Sequence, residues 1–543
     1  MMSLNNNSEI SSPKRGAALF AILAVSAFFS FYRLGLVEFV EGDEAVVMNK
    51  IVRFLNWGTD YRNLAAFLTA EHPPMRFLVS LPFVYLFGAS EFWLRFPHAL
   101  SGILSVYWVY RIGKIAFNTY SGLIAALVFA VSGMSAVYRS ANGIGVFTLF
   151  LLIALECLFR FELAVTEETE KKWLNYTFLF LGLASITFLE GVLFAIPAVY
   201  YAYRKKIKVR GIIRASLPFI ILSTGYLFLW VILPGIAGYF GLIPSYLAGN
   251  TTHVGGRLNN LFAFNLSEFA GAVIATNSLP VIILFLSVFI FQKNLICERL
   301  RLPVFYFLPH FIAWFFLFKK PCGHGAYIAP LFALVIGGGV VFWNSDTASV
   351  MKKTVLNLML AIVVVLTGWH NYILNLQDEI TPSIRNFVYY DESYMNYPAG
   401  APNFNFEGKA AAGVYVREHV KPTDRVLTDF GYNMELYYAG LLHTSEELDE
   451  IAPHLADRDL MQSSGIHYLL LKYPSKYQYA GTHIPAAIVF VRSKATIYIY
   501  DLWKEPENTV RLQAEDERNK FYEKYAVWNK IRPVAANVQL RKE

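Results

Sequence analysis

Up to Leu374 the chain alternates long apolar blocks with short polar stretches, and beyond that point the blocks stop. A helix needs about 20 mainly apolar residues to cross a bilayer core. Blocks of that kind run over 17–32, 73–87, 96–117, 121–137, 144–161, 173–203, 212–233, 279–291, 302–318, 326–343 and 355–374, which predicts roughly eleven crossings. The block 173–203 is long enough for two short helices broken near Glu190-Gly191. The expected total is therefore odd, at about eleven to thirteen.

Basic residues orient these blocks. With Lys14-Arg15 on the cytoplasmic side, odd-numbered spans exit, and the loops after even-numbered spans carry Arg204-Lys205-Lys206-Ile207-Lys208-Val209-Arg210, Glu298-Arg299-Leu300-Arg301 and Lys352-Lys353. Lys and Arg enrichment in cytoplasmic loops is then met at three separate places. The block 17–32 has no clear small-residue cleavage site and reads as a first anchor rather than a signal peptide. The same parity places 38–72, 234–278 and everything from about Asn375 onward outside the cytoplasm.

The segment after residue 375 has a different pattern, that of a small α/β domain. Helical spacing covers 410–420, 433–439 and 446–455, and strand-like alternation covers 425–430, 467–472 and 487–500. The expected division is a membrane module over 1–375, with its first outer loop at 38–72, and an extracytoplasmic α/β domain over 376–543. No phosphate-binding glycine loop appears in that domain, which suits a folded cap that helps bind an acceptor or partner.

Composition agrees with a lipid setting. Of 543 residues, 55% are hydrophobic and 16% charged, with a mean hydropathy of +0.40, whereas soluble domains carry about 25% charged residues. The net charge of +7 is spread over clusters at span ends rather than one basic run, so it reports orientation and not nucleic acid binding. Cys157, Cys297 and Cys322 lie in or beside apolar blocks and form no disulfide framework.

Candidate chemistry sits in the first outer loop. After Gly42, apolar residues at 47, 51, 54 and 55 mark one face of a helix suited to the membrane surface, and Asp43-Glu44 open that helix. Carboxylates there stabilise the helix dipole by about 0.3–1 kcal/mol. They are also the groups a transferase needs, to take a proton from an acceptor hydroxyl or to hold a cation beside a leaving phosphate. The loop ends at Glu71-His72-Pro73-Pro74, where the prolines suit a helix start and His72 would lie near the outer surface. The spacing of Asp43, Glu44 and His72 lacks the specificity of a recognised ligand motif, so a divalent metal stays an open alternative.

Two other polar groups stand out. Glu156 and Glu190 fall inside apolar blocks and need partners or a polar cavity, with Arg139 and Arg160 as candidates for ion pairing. Lys319-Lys320-Pro321-Cys322-Gly323-His324-Gly325-Ala326-Tyr327 falls at an outer span end, against the usual charge bias. Interfacial anchoring explains it, and so does an anionic lipid phosphate at that face.

Asp43-Glu44, His72-Pro73-Pro74 and the run Phe87-Gly88-Ala89-Ser90-Glu91-Phe92-Trp93-Leu94-Arg95-Phe96-Pro97-His98-Ala99-Leu100-Ser101-Gly102 together resemble the dolichyl-phosphate-mannose protein mannosyltransferase superfamily, which includes the aminoarabinose lipid A transferases. The likeness continues through Tyr110-Arg111-Ile112-Gly113-Lys114 to Tyr138-Arg139-Ser140, and more faintly at 324–334. It departs at Ser140-Ala141-Asn142-Gly143, where relatives often place an Asp, and at Glu190-Gly191, where many have Lys-Gly.

The resemblance implies a polytopic α-helical membrane protein of the GT-C fold. It also implies transfer of a sugar from a polyprenyl-phosphate donor to an extracytoplasmic protein, glycolipid or polysaccharide, at the plasma or inner membrane. Carried over residue by residue, Asp43 would be the base with Glu44 its neighbour, and His72, Lys319, Lys320, His324 and Tyr327 would hold the donor phosphate. A polyprenyl-lipid flippase or transporter, or a catalytically inactive scaffold relative, is the competing expectation. No self-similar halves with interrupted helices support transport.

Overall fold

The computed structural model describes residues 13–32, 34–35, 42–55, 74–132, 138, 140–228, 232, 278–291, 300–317, 328–343, 350–376, 408–421, 424–428, 451–471, 474–491 and 494–514. The helices are α1 Pro13–Phe31, α2 Gly42–Leu55, α3 Met75–Phe87, α4 Glu91–Ala116, α5 Thr119–Val131, α6 Ile144–Leu163 and α7 Glu167–Ser185. A 3-10 segment, Leu189–Phe194, leads into α8 Ala195–Arg204 and α9 Val209–Leu227. Further along come α10 Leu279–Phe291, α11 Arg301–Leu317, α12 Ala329–Trp343 and α13 Val350–Leu376. The chain divides into two compact units: Met1–Tyr32, His98–Phe228 and Thr251–Ala401 form one, and Arg33–Pro97, Leu229–Asn250 and Pro402–Glu543 the other.

The first unit is helical, with a core that includes Phe147, Phe161, Phe178, Phe194 and Tyr306. Among the described residues, Lys14–Phe31 and Ile144–Leu163 are long and apolar enough to cross a membrane, and Met75–Phe87, Thr119–Val131, Ala329–Val340 and Lys353–Trp369 are apolar but shorter. Large apolar side chains also face outward: Ile213, Leu217, Ile220 and Ile221 on α9, and Leu358, Met359, Ile362, Val365, Leu366 and Trp369 on α13. Helical stripes of this kind suit lipid rather than water. Close helix approach rests on small residues. A Cβ at Gly337 of α12 would lie 2.5 Å from the Ser121 carbonyl oxygen of α5, so only glycine lets those helices meet.

Two closures revise the expected spans. Arg95 Nη1 donates to the Leu34 carbonyl oxygen at 3.0 Å, so the stretch 34–95 returns to where it began. The ends of the stretch that holds block 73–87 thus meet, as they would in an excursion on one side. Similarly, Lys205 Nζ donates to the Phe161 and Ala164 carbonyl oxygens at 2.7 and 3.0 Å and to Glu170 Oε1 at 2.9 Å. Residues 164 and 205 therefore share one end, and 173–203 goes out along α7 and returns along α8. The break falls at Glu190-Gly191, where a Cβ on Gly191 would meet the Ser185 nitrogen at 2.7 Å.

In the second unit, the C-terminal portion is an α/β layer. Helix α14 Lys409–His419 precedes β1 Arg425–Thr428, then α15 Arg458–Ser463, β2 Ile466–Leu471, α16 Gln478–Thr482, β3 Ala487–Val491, β4 Lys494–Asp501 and β5 Val510–Gln513. The sheet order is β1-β2-β4-β3-β5. β1 and β2 run parallel, as do β3 and β5, while β4 lies antiparallel to both β2 and β3. Alternation sorts the faces: Val426, Leu470, Val489 and Ile499 pack with Ala411, Ala412 and Val416 of α14, and Leu427, Leu469, Leu471 and Tyr500 pack with Met461 and Tyr479. The expected strands 425–430 and 467–472 appear as β1 and β2, and 487–500 forms the β3–β4 pair. The expected helix 410–420 is α14, the described part of 446–455 holds a 3-10 turn at Ala452–His454, and 433–439 and 446–450 lie outside the described residues.

Candidate functional site

The first turn of α2 carries the acidic pair, and its structure separates the two acids. Glu44 is fully buried and takes both arms of Arg95: Nε donates to Oε1 at 2.9 Å and Nη2 to Oε2 at 2.6 Å. A fork-to-fork pair of this kind fixes angle as well as distance. The remaining arm of Arg95 holds the Leu34 carbonyl. One guanidinium thus ties the chain before α2, the first turn of α2 and the first turns of α4 together. Neighbouring details tighten the same corner. Ser80 Oγ donates to the Leu94 carbonyl at 2.8 Å, the Trp93 N–H donates to Ser90 Oγ at 3.3 Å, and Phe87 stacks on Trp93 at 4.2 Å. A Cβ on Gly35 would come within 2.8 Å of Phe92 Cβ.

Of the apolar face expected for α2, Val47 and Ile51 are buried, Phe54 is partly buried and Leu55 is exposed. Asp43 is its second residue. His72, Arg139, Lys319, Lys320, His324 and Tyr327 lie outside the described residues. Because both oxygens of Glu44 already accept from Arg95, Glu44 is poorly suited to ligate a cation. Among the described residues no group of three or more His, Cys, Asp and Glu side chains is arranged to hold a metal ion.

In the helical unit, Glu156 on α6 is paired twice. Arg111 Nη2 of α4 donates to its Oε1 at 2.6 Å and Arg160 Nε at 2.7 Å. Arg160 also lies over the Trp173 ring at 5.0 Å, and Arg111 over Trp108 at 5.5 Å. This is the structural ion pairing expected for Glu156, with Arg111 as the partner that sequence reasoning missed. Glu190 is buried in the 3-10 segment, at the far end of α8 from Lys205. Tyr138 is buried against α4, where a Cβ on Gly102 would lie 2.8 Å from its own Cβ. Asn142 Oδ1 accepts from the Ile144 N–H at 3.0 Å and opens α6. Residues 138 and 140–145 therefore sit toward the N-terminal part of α4, while Arg111 and Glu156 lie toward its other end.

The sheet carries a second polar group. His467 Nδ1 lies 2.8 Å from Asp424 Oδ2 and Nε2 lies 3.6 Å from Asp501 Oδ1. The imidazole stacks on Trp503 at 4.0 Å. Burial opposes the charge on His467, but hydrogen bonds and attraction from Asp501 and Asp424 outweigh it and raise its pKa. Burial likewise opposes the Asp501 carboxylate, and the His467 bond with the Lys504 and Trp503 N–H groups outweighs it and lowers its pKa. The group joins the chain before β1 to the ends of β2 and β4, a structural clasp in a largely buried setting.

Comparison with known proteins finds likeness in sequence over part of the chain and in fold over most of it. Residues 71–237 match the model of the dolichyl-phosphate-mannose-protein mannosyltransferase family. The Bacillus subtilis (strain 168) proteins described as "Putative mannosyltransferase YycA" and "Putative mannosyltransferase YkcB" are each 27% identical, over 220 and 187 residues, or 40% and 34% of this chain. The match spans only 32% and 26% of the length of those curated relatives. Among solved structures, ArnT from Cupriavidus metallidurans bound to undecaprenyl phosphate superposes with a TM-score of 0.63 at 13% identity, covering 90% of this chain and 99% of that one. The Archaeoglobus fulgidus oligosaccharyltransferase, tethered with an acceptor peptide, gives 0.53 at 10% identity, over 92% of this chain and 76% of its own. The chain has the fold of the GT-C glycosyltransferases, and over residues 71–237 it carries the likeness to the dolichyl-phosphate-mannose-protein mannosyltransferase family.

Proposed function

We propose that the protein is a polyprenyl-phosphate-sugar-dependent glycosyltransferase that works on the extracytoplasmic face, with Asp43 as its base. The observation that carries this reading is the Glu44–Arg95 fork. It commits one acid of the pair to holding the start of α2, and it leaves the proton-accepting role to the adjacent Asp43. An anchored helix start is what a base needs, because misplacement by about 1 Å costs about 100-fold in rate. The likeness to ArnT, solved with undecaprenyl phosphate, supports a lipid-linked donor.

In this mechanism the acceptor hydroxyl gives its proton to Asp43 as its oxygen bonds to the anomeric carbon. The bond from that carbon to the phosphate oxygen breaks, its electron pair leaves with polyprenyl phosphate, and configuration inverts. Negative charge builds on the leaving phosphate. His72, Lys319, Lys320, His324 and Tyr327 are the proposed groups to stabilise it, and Arg139 and Glu190 are proposed as polar groups of the membrane module.

Topology follows from the two closures. With 34–95 taken as an outer excursion and 164–205 as an out-and-back pair, α4 runs inward, α5 outward, α6 inward, α7 outward and α8 inward. One predicted span is lost and one gained, so the basic run 204–210 stays cytoplasmic. The connections 117–118 and 164–166 become cytoplasmic and 132–143 becomes external. A membrane module over 1–375 with an external α/β domain over 376–543 remains the proposed division.

The test is direct: full-length protein in nanodiscs with undecaprenyl-phosphate sugars and a membrane extract, wild type against Asp43→Asn. Sugar transfer is expected to fall at least 1,000-fold, on the order of losing a general base together with its positioning, while folding is unchanged. Equal transfer by both proteins rules out Asp43 as base, and movement of labelled lipid without transfer makes the protein a flippase.

A further inference from the structure

One face of the sheet is incompletely covered. Over β2 and the end of β4 it is closed by Met461, Tyr479 and Leu502, but over the β3–β4 pair the cover thins to a groove of about 680 Å3. That volume lies within the roughly 300–1,000 Å3 of small-molecule sites. Register explains the floor. Ile488 of β3 pairs directly with Tyr498 of β4, and Tyr500, two residues on, shares that face, so all three line the groove. The wall is the 474–482 segment, which presents Tyr477, Gln478 and Thr482 with Gly481 between.

The chemistry of this lining is selective. Among the described residues, none that lines the groove is Asp, Glu, Lys, Arg or His. Burial pushes the Tyr500 phenol up to about 12, so it stays neutral. The polar groups that remain are a carboxamide, hydroxyls and phenols, each able to donate and accept hydrogen bonds. The rest is aromatic or aliphatic surface. Tyrosine rings present an electron-rich face that suits the weakly positive C–H face of a pyranose. An anionic ligand would find no cation in the lining, and an acyl chain would strand the amide and hydroxyl groups. Gly481 keeps the wall low: a Cβ there would meet nothing within 4 Å.

We propose that this groove binds an uncharged saccharide, and that it recruits the sugar chain of a glycolipid or polysaccharide acceptor. Its role as an acceptor site rests on the glycosyltransferase reading above, whereas saccharide binding itself does not. The groove stands on the C-terminal portion of the chain, so recruitment is separable from the chemistry assigned to Asp43.

The experiment uses full-length protein in nanodiscs on an array of neutral oligosaccharides, namely hexose, N-acetylhexosamine and pentose oligomers, with oligogalacturonate and an apolar peptide as contrasts. Two variants accompany wild type. Gly481→Trp fills the groove from a position with free space around it, and Tyr498→Ala removes the stacking face. Retention of at least one neutral class is expected, weakened at least tenfold by both variants and unchanged by Asp43→Asn. With that glycan as acceptor, Gly481→Trp is expected to raise KM and leave kcat within twofold. No neutral class retained, stronger retention of oligogalacturonate or the peptide, or binding undiminished in Gly481→Trp each overturns the proposal. If Asp43→Asn retains both the glycan and full transfer, the base assignment fails while the saccharide site stands.

Discussion

At the residue scale, the pairing of Glu44 with Arg95 decides how the acidic pair is read. Both partners are buried, and taking two charges out of water is repaid only by good geometry and by satisfying the remaining donors. Here the fork and the Leu34 carbonyl use three of the guanidinium's arms. Removing one partner strands the other. Arg95→Met is expected to destabilise the protein by about 3–5 kcal/mol, and Glu44→Gln combined with Arg95→Met to recover part of that loss. Thermal unfolding of the detergent-solubilised variants measures both, and additive losses in the double variant contradict a direct pair. The sequence makes the two acids visible and places Arg95 inside a recognisable run. It does not show that they meet, because 51 residues separate them and a helix-start carboxylate has a local explanation of its own. Arg111 was missed as a partner of Glu156 for a similar reason: i,i+4 spacing points to Arg160, and nothing in periodicity joins α4 to α6.

At the scale of elements, the strands β1 to β4 of the C-terminal portion were legible as short runs rich in aliphatic and aromatic residues, because both faces of the sheet carry apolar contacts. β5 was not legible. It is four residues long at an edge, with Val510 and Arg511 exposed, so no buried face imprints a period on it. The His467 clasp joins these elements through side chains rather than pattern. Its pH dependence follows from sign. His467 has a raised pKa in the fold, so its charged form is favoured there. The stabilisation is complete below the unfolded value of about 6.5 and is lost as pH rises through the folded value. Asp501, with its pKa lowered, works in a separate window: its contribution is present above the unfolded value of about 3.9 and is lost as pH falls through the folded one. Tyr415 and Tyr468 nearby have raised pKa values, mainly by burial, and stay neutral across both windows. Hydrogen exchange in β2 and β4, corrected for intrinsic rate, is expected to show stronger protection at pH 5.5 than at pH 8, and His467→Gln to abolish the difference. Equal protection at the two pH values in wild type removes the charge from the clasp.

At the scale of the whole molecule, hydropathy alone cannot distinguish an apolar helix that crosses a bilayer from one that lies within an excursion on one side. Block 73–87 is as apolar as a span, yet the Arg95–Leu34 bond closes the chain around it. Block 173–203 is long enough for one span or for two helices broken near Glu190-Gly191, and the return of Lys205 to the end of α6 selects the two. One span fewer at 73–87 and one more at 173–203 leave the count unchanged, which is why the charge bias at 204–210 fits both readings and cannot choose between them. Accessibility chooses. Tyr120 and Glu168 are exposed, and the two readings put them on opposite sides. In right-side-out vesicles carrying single introduced cysteines, with Cys157, Cys297 and Cys322 replaced, a membrane-impermeant maleimide is expected to leave Tyr120→Cys and Glu168→Cys unlabelled until the membrane is opened. Lys504→Cys, in the external domain of the proposed division, is expected to label at once. Labelling of Tyr120→Cys and Glu168→Cys in sealed vesicles would restore α3 as a crossing and 173–203 as a single span. A chain with Lys205 bonded to Phe161, Ala164 and Glu170 has no route to that arrangement without breaking all three contacts.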